Sequence, residues 1–289
     1  MKKVLSIMFI ACIAMLFSAC HKDGVYNPSK KISKIYYSEN GYKNLGEVWS
    51  WNKNNTLDKI DYYSDGRIAY THNFSYEKKR LIRMNNYASN ESVEYKYDNK
   101  GLKEANYYRG GTLIDTYTFT HQNGKITKII ETWLGNNYYD KGNDRFDMNP
   151  LQFILPDEIA TSAFEASKKI KKNSKGTSTY EYALTWEKNN ITKMVYTSYE
   201  GGYTYSYEAQ YDKKKNPFYG AYLNIYFEEN VPYQSKNNIT QIAYTETYEG
   251  QTYRYEYTYE YNYDGQWPVS KRQVNTEGDS YLTEYEYTK

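Results

Sequence analysis

Few residues in this chain have the type and spacing that chemistry requires. Histidine occurs three times, at His21, His72 and His121, and no His-Glu-x-x-His, Cys-x-x-Cys or Gly-x-Ser-x-Gly phrase accompanies them. A His72–His121 metal pair is conceivable, but half-exposed histidines on strands account for both equally well. Cysteine occurs twice, at Cys12 and Cys20, and neither suits a nucleophile, for reasons given below. Carboxylates are numerous, so a glycosidase-type acid pair has material to draw on. Yet Glu256, Glu260, Glu284 and Glu286 each alternate with tyrosine, which is the pattern of solvated charges on a sheet face. Asp140, Asn143, Asp144 and Asp147 supply oxygen atoms at a density that could hold calcium. Their spacing matches no calcium loop, and Asp and Asn are common in turns. We therefore expect no catalytic residue, no metal and no cofactor.

Aromatic side chains are the remaining candidates. Rings stack on sugars, and tyrosine hydroxyls donate and accept hydrogen bonds. Trp49, Trp51, Trp133 and Trp186, with Tyr255 and Tyr257, are the residues by which the chain could bind a glycan or a peptide; Trp267 is the fifth tryptophan. The competing reading is that cross-strand tyrosine pairs hold a sheet together, each adding roughly 0.2–1 kcal/mol. Tyrosine is spread along the whole chain, which favours the second.

The ends and the composition narrow the class. Lys2 and Lys3 precede an apolar run from Val4 to Phe17, and Ser18-Ala19-Cys20 closes it. The run is about fourteen residues, roughly 21 Å as a helix, too short to span a bilayer core. It reads as a secretory signal over 1–19. Small residues before Cys20 resemble a lipobox, which implies cleavage before Cys20 and acylation of its thiol. Cys12 would leave with the signal and Cys20 would carry the membrane anchor. Residues 20–31 then read as a tether. The formal net charge is +2 and no basic run dominates, so no nucleic-acid partner is expected. Of the 39% hydrophobic residues, 18% are aromatic, and 39 of the 289 residues are tyrosine. That leaves 21% aliphatic and cysteine residues (39 − 18), little for a thick two-layer core, so tyrosine rings must be buried instead.

One phrase recurs along the chain: Ile32-Ser33-Lys34-Ile35, Leu57-Asp58-Lys59-Ile60, Leu81-Ile82-Arg83-Met84, Ile126-Thr127-Lys128-Ile129, Ile191-Thr192-Lys193-Met194 and variants near 102, 239 and 269. Each is followed by an inner turn with glycine, such as Asp65-Gly66 or Gly110-Gly111, and then by an alternating aromatic phrase such as Tyr95-Lys96-Tyr97. The unit is strand, turn, strand. About eight units predict an all-β antiparallel meander of about sixteen strands over 32–289, curled or closed into a barrel-like sheet because open sheets of that width leave two edges. A flat ribbon is the alternative. Two insertions break the period. In 140–177, Pro156-Asp157-Glu158 opens a segment with helix-start signals and lysines near its end, which predicts one short helix. In 216–236, Pro217 and Pro232 flank an apolar stretch.

Tyr211-Asp212-Lys213-Lys214-Lys215-Asn216-Pro217-Phe218 and Ser235-Lys236-Asn237-Asn238-Ile239-Thr240 resemble an uncharacterised lipoprotein family of Gram-negative gut anaerobes with a porin-like β fold. The Tyr-x-Tyr-Asp phrases are distantly similar to the tyrosine-aspartate repeats of large secreted shells. The first resemblance spans nearly all of the chain after the signal. It implies a porin-like fold and an outer-membrane lipoprotein, and brings no catalytic residues. A lipid-embedded barrel is not expected, since Arg254, Glu256 and Glu260 occupy one face of the longest tyrosine strand and neither face is aliphatic. The expected function is a non-catalytic, lipid-anchored binding or structural module of the outer membrane. A glycan- or peptide-binding surface protein and a hydrolase are the alternatives. Another envelope protein is a further possible partner, and the side of the membrane stays open.

Overall fold

The computed structural model describes residues 24–39, 41–134, 177–199, 204–223, 231–248, 250–275 and 280–288. The strands are β1 (Ile32–Glu39), β2 (Tyr42–Trp51), β3 (Leu57–Ser64), β4 (Arg67–Glu77), β5 (Arg80–Asn86), β6 (Glu91–Tyr97), β7 (Leu102–Arg109) and β8 (Thr112–Gln122). They continue as β9 (Lys125–Trp133), β10 (Ser178–Glu187), β11 (Asn190–Ser198), β12 (Thr204–Tyr211), β13 (Ile239–Tyr248), β14 (Gln251–Asp264), β15 (Trp267–Asn275) and β16 (Ser280–Tyr287). Each pairs antiparallel with its sequence neighbours, and β16 pairs with β1, so the sheet is a closed sixteen-stranded barrel. Closure leaves no edge strand. The helix expected within 140–177 and the calcium candidates Asp140, Asp144 and Asp147 lie outside the described residues, as does Cys20.

The hairpin turns follow the chemistry of their residues. Asp65-Gly66 and Asn123-Gly124 hold positive φ at both positions, as a two-residue turn between twisted strands requires. Lys78-Lys79 adopts the same backbone, with φ of 48° and 68°, without any glycine.

The repeated apolar phrase carries a feature that strict alternation does not explain. In Leu57-Asp58-Lys59-Ile60 the residues at positions one and four are both buried, at 1% and 0% exposure, although spacing of three should put them on opposite faces. A register shift reconciles the two. Between β2 and β3 it falls at Ser50/Trp51, where Trp51 faces Leu57. The same shift recurs at Ser75/Tyr76, Lys96/Tyr97, Thr120/His121, Thr185/Trp186 and Gln210/Tyr211. Each is a β-bulge, which inserts one residue and turns two apolar side chains to the same side.

These six bulges sit at one rim, with further shifts at Tyr62/Tyr63 and Tyr107/Tyr108 beside the opposite one, and at the first rim an aromatic residue bonds across the two strands of its own unit. The Trp51 Nε1–H donates to the Ile32 carbonyl at 2.7 Å, Tyr97 Oη–H to Leu81 at 2.7 Å, Trp186 Nε1–H to Ile126 at 2.7 Å, and Tyr287 Oη–H to Pro268 at 2.6 Å. Tyr211 and Tyr261 bond to the carbonyls of Ile191 and Ile239 in the same manner. In the unit of β7 and β8 this place belongs to His121, which faces Ile126.

The apolar face is the inside. Ile60, Met84, Leu102, Tyr117, Tyr182 and Tyr244 are almost fully buried, and directly paired Tyr196 and Tyr205 stack with centroids 4.5 Å apart. The outer face is threonine, serine and ion pairs. Two pieces of chain fill the lumen at the bulged rim. The first is the segment before β1, read above as tether: the Gly24 carbonyl accepts the Leu81 N–H, and Tyr26 lies buried against Trp49 and Trp51 and donates to the Pro217 carbonyl at 2.6 Å. The second is the insertion after β12, where Phe218 meets Trp49, Tyr233 and Tyr285, and Tyr222 stacks on Tyr95. A short 3-10 turn, Pro232–Gln234, closes the insertion.

The bulges make a specific prediction. Leu57→Ala and Ile60→Ala each lower stability by about 2–5 kcal/mol in denaturant titrations, because each empties core volume. A strictly alternating strand would leave one of the two near neutral.

Candidate functional site: the barrel lumen and its rims

The lumen gathers ionisable groups that are far apart in the chain. Glu47 on β2 is 4% exposed. Its carboxylate accepts the Tyr37 hydroxyl at 2.5 Å and the Trp49 indole N–H at 2.7 Å. Burial raises the Glu47 carboxyl above its ordinary range, while these two donors and the charge of Lys271 oppose the rise. Lys271, on β15, is pushed down to about 8 by burial, with Glu47 opposing. Across the lumen, Glu91 accepts the Tyr107 hydroxyl at 2.6 Å and two Arg109 N–H groups at 2.9 and 2.7 Å. Glu131 accepts the Tyr182 hydroxyl at 2.6 Å, and Asp115 is 1% exposed beside it on the neighbouring strand.

His72 sits at mid-height on β4 beside the stacked rings of Tyr62 and Tyr70, 4.9 and 5.2 Å away. Its Nδ1 lies 3.1 Å from the Leu223 carbonyl. A carbonyl only accepts, so Nδ1 carries the proton. Burial lowers the His72 pKa to about 4; the Leu223 hydrogen bond and the more distant Glu91 charge oppose the shift. The imidazole is therefore neutral at physiological pH and fastens the insertion to the wall. His121 stands apart at the bulged rim, so the structure does not bring the two histidines together. Among the described residues, no group of three or more His, Cys, Asp or Glu could hold a metal ion.

Near the bulged rim the described residues pack closely around the lumen. The cavity between Tyr26, Leu57, Phe74, Tyr76, Leu81, Tyr222 and Leu223 has a volume of about 10 Å³, room for one water. The arrangement orients and neutralises charge inside a core. Among the described residues, each of the carboxylates Glu47, Glu91 and Glu131 is held by hydroxyl, indole or guanidinium donors rather than facing another carboxylate.

The aromatic candidates are placed mostly in this core. Trp49, Trp133 and Tyr257 are buried, at 4%, 6% and 6% exposure, and Tyr255 is half-buried on the inner face. Trp51 and Trp186 stand at the bulged rim with lysines over their rings, Lys31 at 5.7 Å and Lys125 at 5.1 Å. The exposed rings lie elsewhere. Tyr42, Tyr87, Tyr199 and Tyr253 are 76%, 74%, 61% and 47% exposed, and all four belong to the rim opposite the bulges. Sequence reasoning passed over Tyr42, Tyr87 and Tyr199 because each stands in or beside a turn, and read Tyr253 only as one end of the Tyr253–Tyr263 ladder.

No protein-family model matches the chain, and no curated protein matches it. Solved structures do. A porin-like protein from Bacteroides uniformis ATCC 8492 superposes with a TM-score of 0.52 at 10% identity, covering 92% of this chain and 100% of that one. A porin-like protein from Bacteroides vulgatus ATCC 8482 gives 0.51 at 10% identity, covering 90% and 99%. The fold is thus that of a porin-like β-barrel.

His72 yields a pH prediction. The unfolded imidazole titrates near 6.5 and the folded one near 4, so the folded state binds fewer protons between these values. The stability is present above pH 6.5 and is lost as pH falls toward 4. Between pH 7 and pH 5 the loss is roughly 2 kcal/mol from this group. Chemical denaturation of the parent and of His72→Asn, which keeps a side-chain donor but cannot titrate, will differ by that amount in pH dependence. Parallel curves would contradict the assignment.

Proposed function

We propose that the protein is a non-catalytic β-barrel tethered to the outer membrane of a Gram-negative cell through an acylated Cys20, with its wall in water. The outer wall is the observation that carries this reading. Ion pairs run across it: Lys43–Glu284 at 3.0 Å, Arg83–Glu94 at 3.3 Å, Lys96–Glu104 at 2.6 Å, Lys193–Glu208 at 2.8 Å and Arg254–Glu256 at 3.0 Å. Between them stand Thr116, Thr118, Thr197, Thr245 and Thr258. A wall in hydrocarbon needs an aliphatic band, and a mid-bilayer Arg or Lys costs about 2–4 kcal/mol. The apolar residues that would build such a band are inside. Membership of the outer membrane is supported by the signal and lipobox pattern and by the porin-like neighbours, whose names come from proteins of Gram-negative anaerobes.

The packing of described residues across the lumen at the bulged rim favours a structural or binding role over transport or hydrolysis. A second reading, glycan or peptide binding, is favoured by the exposed Tyr42, Tyr87, Tyr199 and Tyr253 at the rim away from the N-terminal segment. Amphipathic rings held out in water are a stacking platform for sugars.

Metabolic labelling with radioactive palmitate tests the anchor. The parent incorporates label and floats with membranes, and Cys20→Ser loses the label. Retained label would overturn the anchor. For the second reading, a polysaccharide gel shift should weaken several-fold in Tyr87→Ala/Tyr199→Ala; an unchanged shift would remove those rings from the site.

A further inference from the structure

The chain as a whole is nearly neutral, but the fold sorts its charges. The turns at the bulged rim, together with residues 24–31, carry eleven lysines against Asp98 and Asp212 among the described residues, a net of nine positive charges. The strand ends there add Arg80 and Lys125 against Glu77, Glu187 and Asp264. The described turns of the opposite rim carry Asp65 alone. In sequence these lysines come singly or in short runs, and only the alternation of up and down strands brings them into one ring.

The ring is built, not merely crowded. Six cations lie over aromatic faces around it. Besides the Lys31–Trp51 and Lys125–Trp186 pairs there are Lys30 over Tyr287 at 4.7 Å, Arg80 over Tyr97 at 4.5 Å, Lys214 over Tyr263 at 5.4 Å and Lys215 over Trp267 at 5.1 Å. Such contacts hold the charged ends at the rim and set indole rings beside them, the residue pairing suited to a membrane–water boundary. Lys78-Lys79 keeps two cations in a turn whose left-handed backbone favours Asn-Gly. The N-terminal chain also enters here. Gly24 is hydrogen-bonded inside this rim, and three residues separate it from Cys20, a reach of roughly 14 Å at most over four Cα steps.

We propose that this basic rim docks on an anionic phospholipid surface, so that the barrel stands upright on the membrane and presents the tyrosine rim away from it. The proposal rests on the Cys20 anchor, which brings the rim within one short tether of the headgroups. The lysines then gain from the negative surface potential, which acts within about one Debye length, about 8 Å at physiological salt.

Lysine reactivity tests this. The mature lipidated protein is reconstituted in phosphatidylcholine vesicles and in vesicles containing about 30% phosphatidylglycerol. Both are treated with a water-soluble acetylating reagent, and each lysine is followed by mass spectrometry. In anionic vesicles, acetylation of Lys53, Lys188 and Lys215 slows about threefold or more relative to Lys43 near the far rim, and the protection disappears at about 0.5 M salt. In phosphatidylcholine alone the ratio does not change. Flotation with equal reactivity at all four lysines overturns the docking and leaves the anchor standing. Failure to float overturns both. Protection by soluble polyglutamate as strong as by the vesicles would reassign the rim to an acidic macromolecule and overturn the membrane assignment.

Discussion

A sixteen-stranded barrel encloses more space than aliphatic side chains from its own wall can fill, and barrels of that size ordinarily hold an aqueous channel. Everything else in this structure depends on how that space is closed. Tyrosine does most of it. Its ring brings large buried area on two rotatable bonds, and its hydroxyl can meet a carboxylate in the lumen, as Tyr182 does on Glu131, or a carbonyl at the bulged rim, as Tyr211 does on Ile191. The wall alone still falls short at the bulged rim. There the chain spends its N-terminal segment and its second insertion, and Tyr26, Phe218 and Tyr222 complete the core.

The filling dictates the orientation of every strand. With rings and aliphatics inside, the period-two pattern sends threonine and ion-paired side chains outward. The bulges extend this economy by turning both ends of each Ile-x-x-Ile phrase inward. They also place Trp51, Tyr97, Trp186 and Tyr211 where they can bond to a carbonyl of the preceding strand in the same unit. A closed wall of local hairpins results, most of them braced between their own two strands by one side chain.

Much of this was legible in the chain. The hairpin unit, the number of strands, the Gly-containing turns and closure all follow from local patterns, because each hairpin is made by residues close in sequence. The tyrosine ladder from Tyr253 to Tyr263 could be read as architecture, and Tyr257 and Tyr259 are indeed buried in the wall. The remainder depends on contacts between distant residues. Nothing in Ile-Thr-Lys-Ile reveals which residue a partner strand will skip, so the bulges were hidden. Nothing local to His72 points to Leu223, or local to Glu47 points to Lys271. Gly24 to Lys31 has the composition of a linker, and only the empty rim explains why Tyr26 is held there. The lysines of separate turns become a ring only once the strands alternate in direction, and the exposed tyrosines of the far rim emerge in the same way.

The central claim is that the barrel is apolar inside and wet outside. Cys12 and Cys20 are the only cysteines, and on this account neither reports from the mature barrel, so a cysteine placed in the wall is a clean probe. Thr258→Cys points outward at mid-wall, and Tyr244→Cys points into the core. Sheared membranes bearing each variant are treated with a water-soluble maleimide before and after detergent. The account predicts full labelling of Thr258→Cys before detergent, with Tyr244→Cys protected. Labelling of Thr258→Cys only after detergent would place the wall in lipid and contradict it.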